Sequence, residues 1–357
     1  MRVVTVVGAR PQFVKAAPVS RALRRAHAEV LVHTGQHYDR EMSDLFFAEL
    51  EIPRPDYELG VGSGPHGWQT GQMLMRLEEV LQAERPDYVV VYGDTNSTLA
   101  AALAAVKLQV PLAHVEAGLR SFNRAMPEEH NRVLTDHCAG LLFCPTQTAV
   151  ELLGREGIVS GVHLVGDVMF DAALQHGAFA LQRSTLRRDL GLDGRPYALA
   201  TLHRPYNTDD GTRLRQVLAG LGALGQPVVF PVHPRTRAAL ARHDIAAPAS
   251  VLAIDPIGYL DMLALEQSAS LILTDSGGVQ KEAYYFAVPC VTLRPETEWV
   301  ETVAAGWNRL AWGDAAVVVE AARRPWPVDP PLPVFGDGRA AERIVARLES
   351  AITTEVR

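Results

Sequence analysis

The sequence predicts an α/β protein built from two Rossmann-like, doubly wound domains that face one another across a cleft. Three observations carry that expectation. Short β-branched and aliphatic runs alternate with longer stretches whose apolar residues recur at helical spacing. The runs are apolar at consecutive positions, which marks parallel strands covered on both faces. The alternation then restarts after about residue 168. A length of 357 residues suits two domains, each with enough chain to bury its own core.

Taken in order, residues 3–7 read as a buried strand, Gly8-Ala9-Arg10-Pro11 as a turn, and 14–25 as a helix. Residues 30–33 form a second strand, and 38–50 and 68–83 read as helices. A third strand covers 88–92, with a helix over 97–108; residues 112–115 and 141–144 extend the strand series. In the second half the strands are expected at 197–202, 228–232, 251–254, 271–274 and 290–293. Helices are expected at 214–224, 260–267 and 279–286. The halves join near residues 168–177, so residues 1–168 make the first domain and 169–338 the second. Five prolines within residues 325–333 exclude helix and give an extended connector. The helical pattern returns at 339–352, placed to pack back on the first domain.

Composition narrows the class. With 48 % hydrophobic and 21 % charged residues, the chain is not wholly disordered. A formal net charge of −7 argues against nucleic-acid binding as the main role, while leaving room for a local basic site for an anionic small molecule. No apolar run approaches the roughly 18–20 residues that span a bilayer. The N-terminus opens on a strand-like run, so no signal peptide is expected. Cys138, Cys144 and Cys290 form no CxxC, and two of them sit in apolar surroundings, which fits a reduced cytoplasmic protein.

Open parallel sheets bind ligands beyond the carboxyl ends of their strands, so the residues just after each strand are the candidates. The first strand runs into Gly8, Arg10 and Lys15. Gly8 permits a tight turn; the two cations either await phosphate or flank a helix start. The GxGxxG spacing of a dinucleotide site is absent. The third strand ends in Tyr92-Gly93-Asp94-Thr95, where Asp94 is either an N-cap or an acid at the cleft. The next strand gives His114-Val115-Glu116-Ala117-Gly118-Leu119-Arg120. Pro127-Glu128-Glu129-His130-Asn131-Arg132 then places a proline and two acids where a helix start and its dipole favour them. Asp94, Glu116 and Glu128 lie on separate connections that open on one sheet edge. Acids gathered in that way are suited to moving a proton from carbon.

In the second half His203 and Arg204 follow a strand; the histidine can protonate or stabilise a leaving phosphate. Pro231-Val232-His233-Pro234 repeats the arrangement more weakly. The strongest local motif is Leu273-Thr274-Asp275-Ser276-Gly277-Gly278-Val279-Gln280-Lys281-Glu282. A strand enters Ser276-Gly277-Gly278 and a helix follows, whose free amides can cradle a diphosphate. Glu282, about one and a half turns into that helix, can accept bonds from ribose hydroxyls. The twelve histidines are scattered and no loop has calcium spacing, so no metal is expected.

Jointly these motifs resemble the non-hydrolysing UDP-N-acetylglucosamine 2-epimerase family, in family order and across nearly the whole chain. The resemblance implies a fold of the glycosyltransferase-B type and a cytoplasmic homodimer. It also implies no metal or nicotinamide cofactor, and a role in making activated sugars for surface polysaccharide. The family reaction interconverts UDP-GlcNAc and UDP-ManNAc by eliminating UDP to a 2-acetamidoglucal and adding it back with C2 inverted. By resemblance Asp94, Glu116 and Glu128 match the family's catalytic acids, and His203 the histidine that assists departure of UDP. Arg10, Ser276, Gly277 and Gly278 match phosphate-binding positions, Glu282 the ribose-binding acid, and Lys15 a further active-site position. Arg204 and Met262 complete the expected substrate-binding set.

The chain departs from the common family pattern at several of these places. Pro205-Tyr206 replaces a common Arg-Glu, Trp299 replaces an arginine that contacts substrate, and Met262 stands for the aromatic that stacks on uracil. Asp39 stands where a glutamine helps to bind a second, activating nucleotide sugar. Ser121-Phe122-Asn123 and Thr297-Glu298-Trp299-Val300-Glu301 look more like a subgroup that epimerises UDP-2,3-diacetamido-2,3-dideoxyglucuronic acid. A UDP-sugar glycosyltransferase shares the fold, the Ser-Gly-Gly turn and Glu282, but has no need of three acids. A hydrolysing epimerase and a non-catalytic nucleotide-sugar sensor are the remaining alternatives.

Overall fold

The computed structural model describes residues 1–36 and 49–355, without the side chains of Arg10 and residues 353–355. The chain divides into two compact units, Met1–Leu174 with Pro333–Arg357, and Gln175–Leu332. In the first unit the chain runs β1 (Arg2–Val7), α1 (Arg10–Leu23), β2 (Ala28–His33), β3 (Tyr57–Glu58), α2 (His66–Glu84), β4 (Tyr88–Tyr92) and α3 (Asn96–Lys107). It continues through β5 (Leu112–Val115), α4 (Pro127–Cys138), β6 (Leu141–Cys144), α5 (Gln147–Arg155), β7 (Val162–Leu164) and α6 (Val168–Arg183). The second unit has α7 (Leu186–Asp189), β8 (Ala198–Thr201), α8 (Pro205–Thr208), α9 (Gly211–Gly222), β9 (Val228–Pro231), α10 (Pro234–Arg242) and β10 (Val251–Ile254). There follow α11 (Tyr259–Ser268), β11 (Leu271–Thr274), α12 (Gly277–Tyr285), β12 (Cys290–Thr292), α13 (Val300–Ala304), β13 (Asn308–Leu310) and α14 (Ala315–Arg323). The last helix, α15 (Ala340–Glu355), belongs to the first unit and packs on α1.

The first sheet has the order β3-β2-β1-β4-β5-β6-β7 and the second β10-β9-β8-β11-β12-β13; every recorded pairing is parallel. Both are doubly wound, as the sequence predicts. Strand order reverses direction between β1 and β4 in one sheet and between β8 and β11 in the other. Those reversals open the crevices where such sheets take ligands.

The second sheet shows why consecutive apolar residues are needed. Ala198, Ala200, Val228, Phe230, Leu271, Leu273 and Val291 point to one core with Leu214, Val217, Leu218 and Leu221 of α9. The alternate residues Leu199, Val229, Ile272 and Cys290 point to the other, with Leu265 of α11 and Ala283 of α12. Each of these strand residues therefore packs on one face or the other. Burying a large aliphatic side chain contributes about 1.5–3 kcal/mol. In the first unit the small side chains Ala100, Ala101, Ala104 and Ala105 let α3 lie close to Val89, Val91, Met73 and Leu77.

Three expectations shift. Arg10 and Pro11 open α1 instead of forming a turn, because proline fits the first helical turn, where no backbone donor is needed. The expected boundaries at 168 and 338 fall at 174 and 332. The joining segment is helical through Arg183, so the chain leaves the first unit within a helix. The return comes before α15: Asp167 N–H donates to the Phe335 carbonyl (2.9 Å), and the Ala340 and Ala341 amides donate to Asp171. The helix expected over 38–50 falls almost wholly outside the described residues, as does Asp39.

Candidate active site

In the first unit the site grows from the reversal between β1 and β4. Gly8 follows β1, and a side-chain carbon there would stand 2.1 Å from Thr34 Oγ1 and 2.2 Å from Ser97 Oγ. Only glycine fits. Gln12 stitches the turn: its Oε1 accepts from the Gly8 and Ala9 amides (2.8 and 3.1 Å), and its Nε2 donates to the Tyr92 carbonyl beside β4 (2.9 Å).

Lys15 and Glu116 form a buried ion pair, their side chains 10 % and 6 % exposed. Glu116 sits in the left-handed region at φ +68°, unusual for a side chain with a Cβ. The Glu116 and Ala117 amides both donate to the Phe143 carbonyl (3.1 Å each), which holds that conformation. Gly93 touches the same pair. A side-chain carbon there would lie 3.0 Å from Lys15 Nζ and 3.5 Å from the Glu116 carboxylate.

Asp94 is not the N-cap of α3. Thr95 is, accepting from the Thr98 amide (3.3 Å). The Asp94 carboxylate is free for another task and pairs with Arg132 on α4. Asn131, from the same helix, donates to the Asp94 carbonyl (3.0 Å). Glu128 is half-buried in the first turn of α4, four residues before Arg132 and so on the same face. Its neighbour Glu129 is buried and structural. It accepts from Ser121 N (2.9 Å), Ser121 Oγ (2.8 Å), Phe122 N (2.8 Å) and Arg132 (3.2 Å).

Behind these acids His114 donates Nε2–H to the Gly93 carbonyl (2.7 Å), and its Nδ1 meets Asp136 Oδ1 (2.7 Å). Asp136 also accepts from Arg120 (2.7 Å) and the Gly118 amide (3.1 Å). Burial pushes the Asp136 carboxyl up, but His114 and Arg120 outweigh it and hold it below the usual carboxylate range. The sequence gives Arg132 no task, and Glu129 only that of an acid at a helix start. Asp136, a lone acid inside a helix, carried no signal.

In the second unit the reversal between β8 and β11 is closed by Asp275, which is fully buried. It accepts from the His203 amide (3.1 Å), the Arg204 amide (2.9 Å) and Asn207 Nδ2 (3.0 Å), and meets His203 Nδ1 at 3.2 Å. The turn bearing His203 and Arg204 is thereby tied to the end of β11. Desolvation, with Arg204, Arg294 and Arg235, holds the His203 imidazole below its usual pKa against the pull of Asp275. The side chain is still 34 % exposed, so solvent tempers that fall.

Ser276 caps α12, and the Gly277 and Gly278 amides, partly exposed, begin the helix. The first amides of a helix have no carbonyl one turn earlier to bond, so they are available to an anion. Trp299 borders this turn: its Nε1 lies 3.4 Å from where a Gly277 side chain would start, and Lys281 Nζ lies 4.1 Å over its ring. Glu282 is buried, with Tyr259 OH donating to its Oε1 (3.2 Å). Met262, on α11 with Tyr259, is partly buried against the core. The second unit thus gathers His203, Arg204, Ser276, Gly277 and Gly278 at one reversal. The first gathers Lys15, Asp94 and Glu116 at the other. The Arg10 side chain lies outside the description.

Two doubly wound units, one bearing paired acids and the other a glycine turn with a histidine–aspartate pair, define an α/β enzyme of the nucleotide-handling kind. The chain belongs to the UDP-N-acetylglucosamine 2-epimerase family, whose profile matches residues 21–349. A UDP-N-acetylglucosamine 2-epimerase homolog of Methanococcus maripaludis is 50 % identical over 356 residues, covering 98 % of this chain and 100 % of the relative. A UDP-2,3-diacetamido-2,3-dideoxy-D-glucuronate 2-epimerase of Pseudomonas aeruginosa is 49 % identical over 361 residues, covering 98 % and 99 %. The crystal structure of the Methanocaldococcus jannaschii UDP-GlcNAc 2-epimerase with UDP-GlcNAc and UDP matches with a TM-score of 0.89 at 42 % identity, covering 98 % and 100 %. The glycosyltransferase-B expectation for the fold holds.

Proposed function

We propose that the chain is a non-hydrolysing UDP-N-acetylglucosamine 2-epimerase. The observation that carries this reading is the set of charged acids at the first unit's reversal: Glu116 paired with Lys15, and Asp94 paired with Arg132. The C2 hydrogen of the sugar is not next to a carbonyl, so no enolate can form. Its removal needs a carboxylate base acting while the C1 oxygen bond breaks. The C2–H electron pair becomes the C1–C2 double bond, and UDP departs with the C1–O pair. Asp94, Glu116 and Glu128 supply base and acid for the two directions. The Gly277 and Gly278 amides, Arg10 and Arg204 would take the diphosphate, His203 would favour its departure, and Glu282 would take the ribose. Re-addition of the UDP oxygen to C1, with a proton delivered to the opposite face of C2, completes the inversion, with no net gain or loss of water or electrons.

The test is proton NMR in deuterated water with UDP-N-acetylglucosamine alone. The manno epimer, deuterated at C2, is the expected product. Protein that binds UDP yet exchanges no C2 hydrogen refutes this substrate. A second substrate reading, the 2,3-diacetamido uronate, is favoured by Trp299 beside the glycine turn and by the 49 % identity to the Pseudomonas relative. The same assay with that sugar decides it. We further propose that the chain acts as a cytoplasmic homodimer and supplies activated sugar for surface polysaccharide, with no metal or nicotinamide. Sedimentation, and activity in chelator, test the dimer and the metal independence.

A further inference from the structure

Glu266 lies inside α11 with no exposed surface, and neither of its carboxyl oxygens has a hydrogen-bond partner among the described residues. Its helix packs into the apolar cluster that holds Leu199, Leu265, Ile272 and Ala283. The ionisable groups that act on it or feel its charge are Glu282 on α12, Tyr197 at the head of β8, Cys290 on β12, and Tyr259 on its own helix. Burial raises both phenols above their ordinary range and pushes Cys290 up to about 12, so these three are uncharged near neutral pH. Among the described residues, the charged neighbour left to Glu266 is Glu282.

Two carboxyl groups enclosed together do not both ionise; the proton settles where water and donors are scarcest. Glu282 receives the Tyr259 hydroxyl on Oε1 and keeps 4 % exposure. Glu266 has neither advantage. We propose that Glu266 is carried as the neutral acid and acts as a positioning residue for the nucleotide site. Holding the proton, it leaves Glu282 the anion and keeps that carboxylate seated against Tyr259, ready for ribose hydroxyls. A second negative charge at Glu266 would push Glu282 out of that seat. The inference rests on the nucleotide reading of Glu282 given above.

Two measurements test it. Infrared spectra at neutral pH should show a carboxylic-acid carbonyl band in the whole protein that disappears in Glu266→Gln, or in Glu266→Met if the first variant folds poorly. Calorimetric titration with UDP should give near-equal affinity for wild type and Glu266→Gln at pH 7. The ratio of their dissociation constants should then rise about tenfold over the alkaline range in which the wild-type acid band disappears, as Glu266 loses its proton and the glutamine cannot. Absence of the acid band overturns the proposal. A ratio that stays constant while the acid band disappears overturns the positioning role, since a merely structural Glu266 would not couple affinity to proton release. A protein with the acid band that binds no UDP at any pH overturns the nucleotide reading, and the positioning role with it.

Discussion

The Lys15–Glu116 pair offers a test with a magnitude. Both side chains are almost closed to solvent. Removing one member of such a pair leaves the other charge buried and uncompensated, at about 3–5 kcal/mol. In Glu116→Gln the amide oxygen still accepts from the ammonium, so the expected loss is about 3 kcal/mol. Lys15→Met removes the ammonium from the carboxylate and should lose a similar amount. The double variant removes both charges together, so its loss should be about 3 kcal/mol, not the roughly 6 that addition gives. The left-handed backbone at position 116 is common to all four proteins and cancels from the cycle. Urea unfolding at pH 7, with slopes compared, measures each corner. If the double variant loses the sum of the singles to within about 0.5 kcal/mol, the two charges are not coupled and the reasoning fails.

Further outcomes follow from the same geometry. Gly8→Ala puts a methyl 2.1 Å from Thr34 Oγ1 and 2.2 Å from Ser97 Oγ, and should lower stability by about 3 kcal/mol in thermal or urea unfolding. Glu128→Gln should cut C2 exchange about a hundredfold or more with stability within about 1 kcal/mol of wild type. Glu129→Gln should do the reverse, losing about 2 kcal/mol through its four donors while exchange moves less. Burial pushes Asp171 up to about 6, so the folded chain holds that proton more tightly than the unfolded one. Its contribution is therefore full below about pH 4 and is lost as pH rises through about 6, a swing of about 3 kcal/mol. Urea midpoints of wild type minus Asp171→Asn should fall across that window; a flat difference refutes it.

The strands were legible where they were long and apolar on both faces. Tyr88–Tyr92, Leu112–Val115, Leu141–Cys144, Val251–Ile254 and Leu271–Thr274 lie where the sequence puts them. Tyr57–Glu58, Val162–Leu164 and Asn308–Leu310 were missed, because two or three residues carry no period. At the site, residues just past a strand end and close to a glycine announced themselves: Asp94, Glu116, Ser276. Arg132 and Asp275 did not, because their importance lies in partners that are 38 and about 70 positions away in the chain. Glu266 carried no signal in the sequence. Only packing reveals that its face is closed to water.

The first unit is made of two separate stretches of chain, and the second is one stretch lying between them. Synthesis therefore completes the units in the reverse of their numbering. All six strands of the β8–β13 sheet are synthesised before α15. Until then α1 lacks the helix that packs on it, and Asp171 lacks the Ala340 and Ala341 amides it will receive. A nascent chain halted near residue 332 would hold every residue of the second unit but not all of the first. The acids at Asp94 and Glu116 would then rest on a scaffold whose last helix has yet to be made.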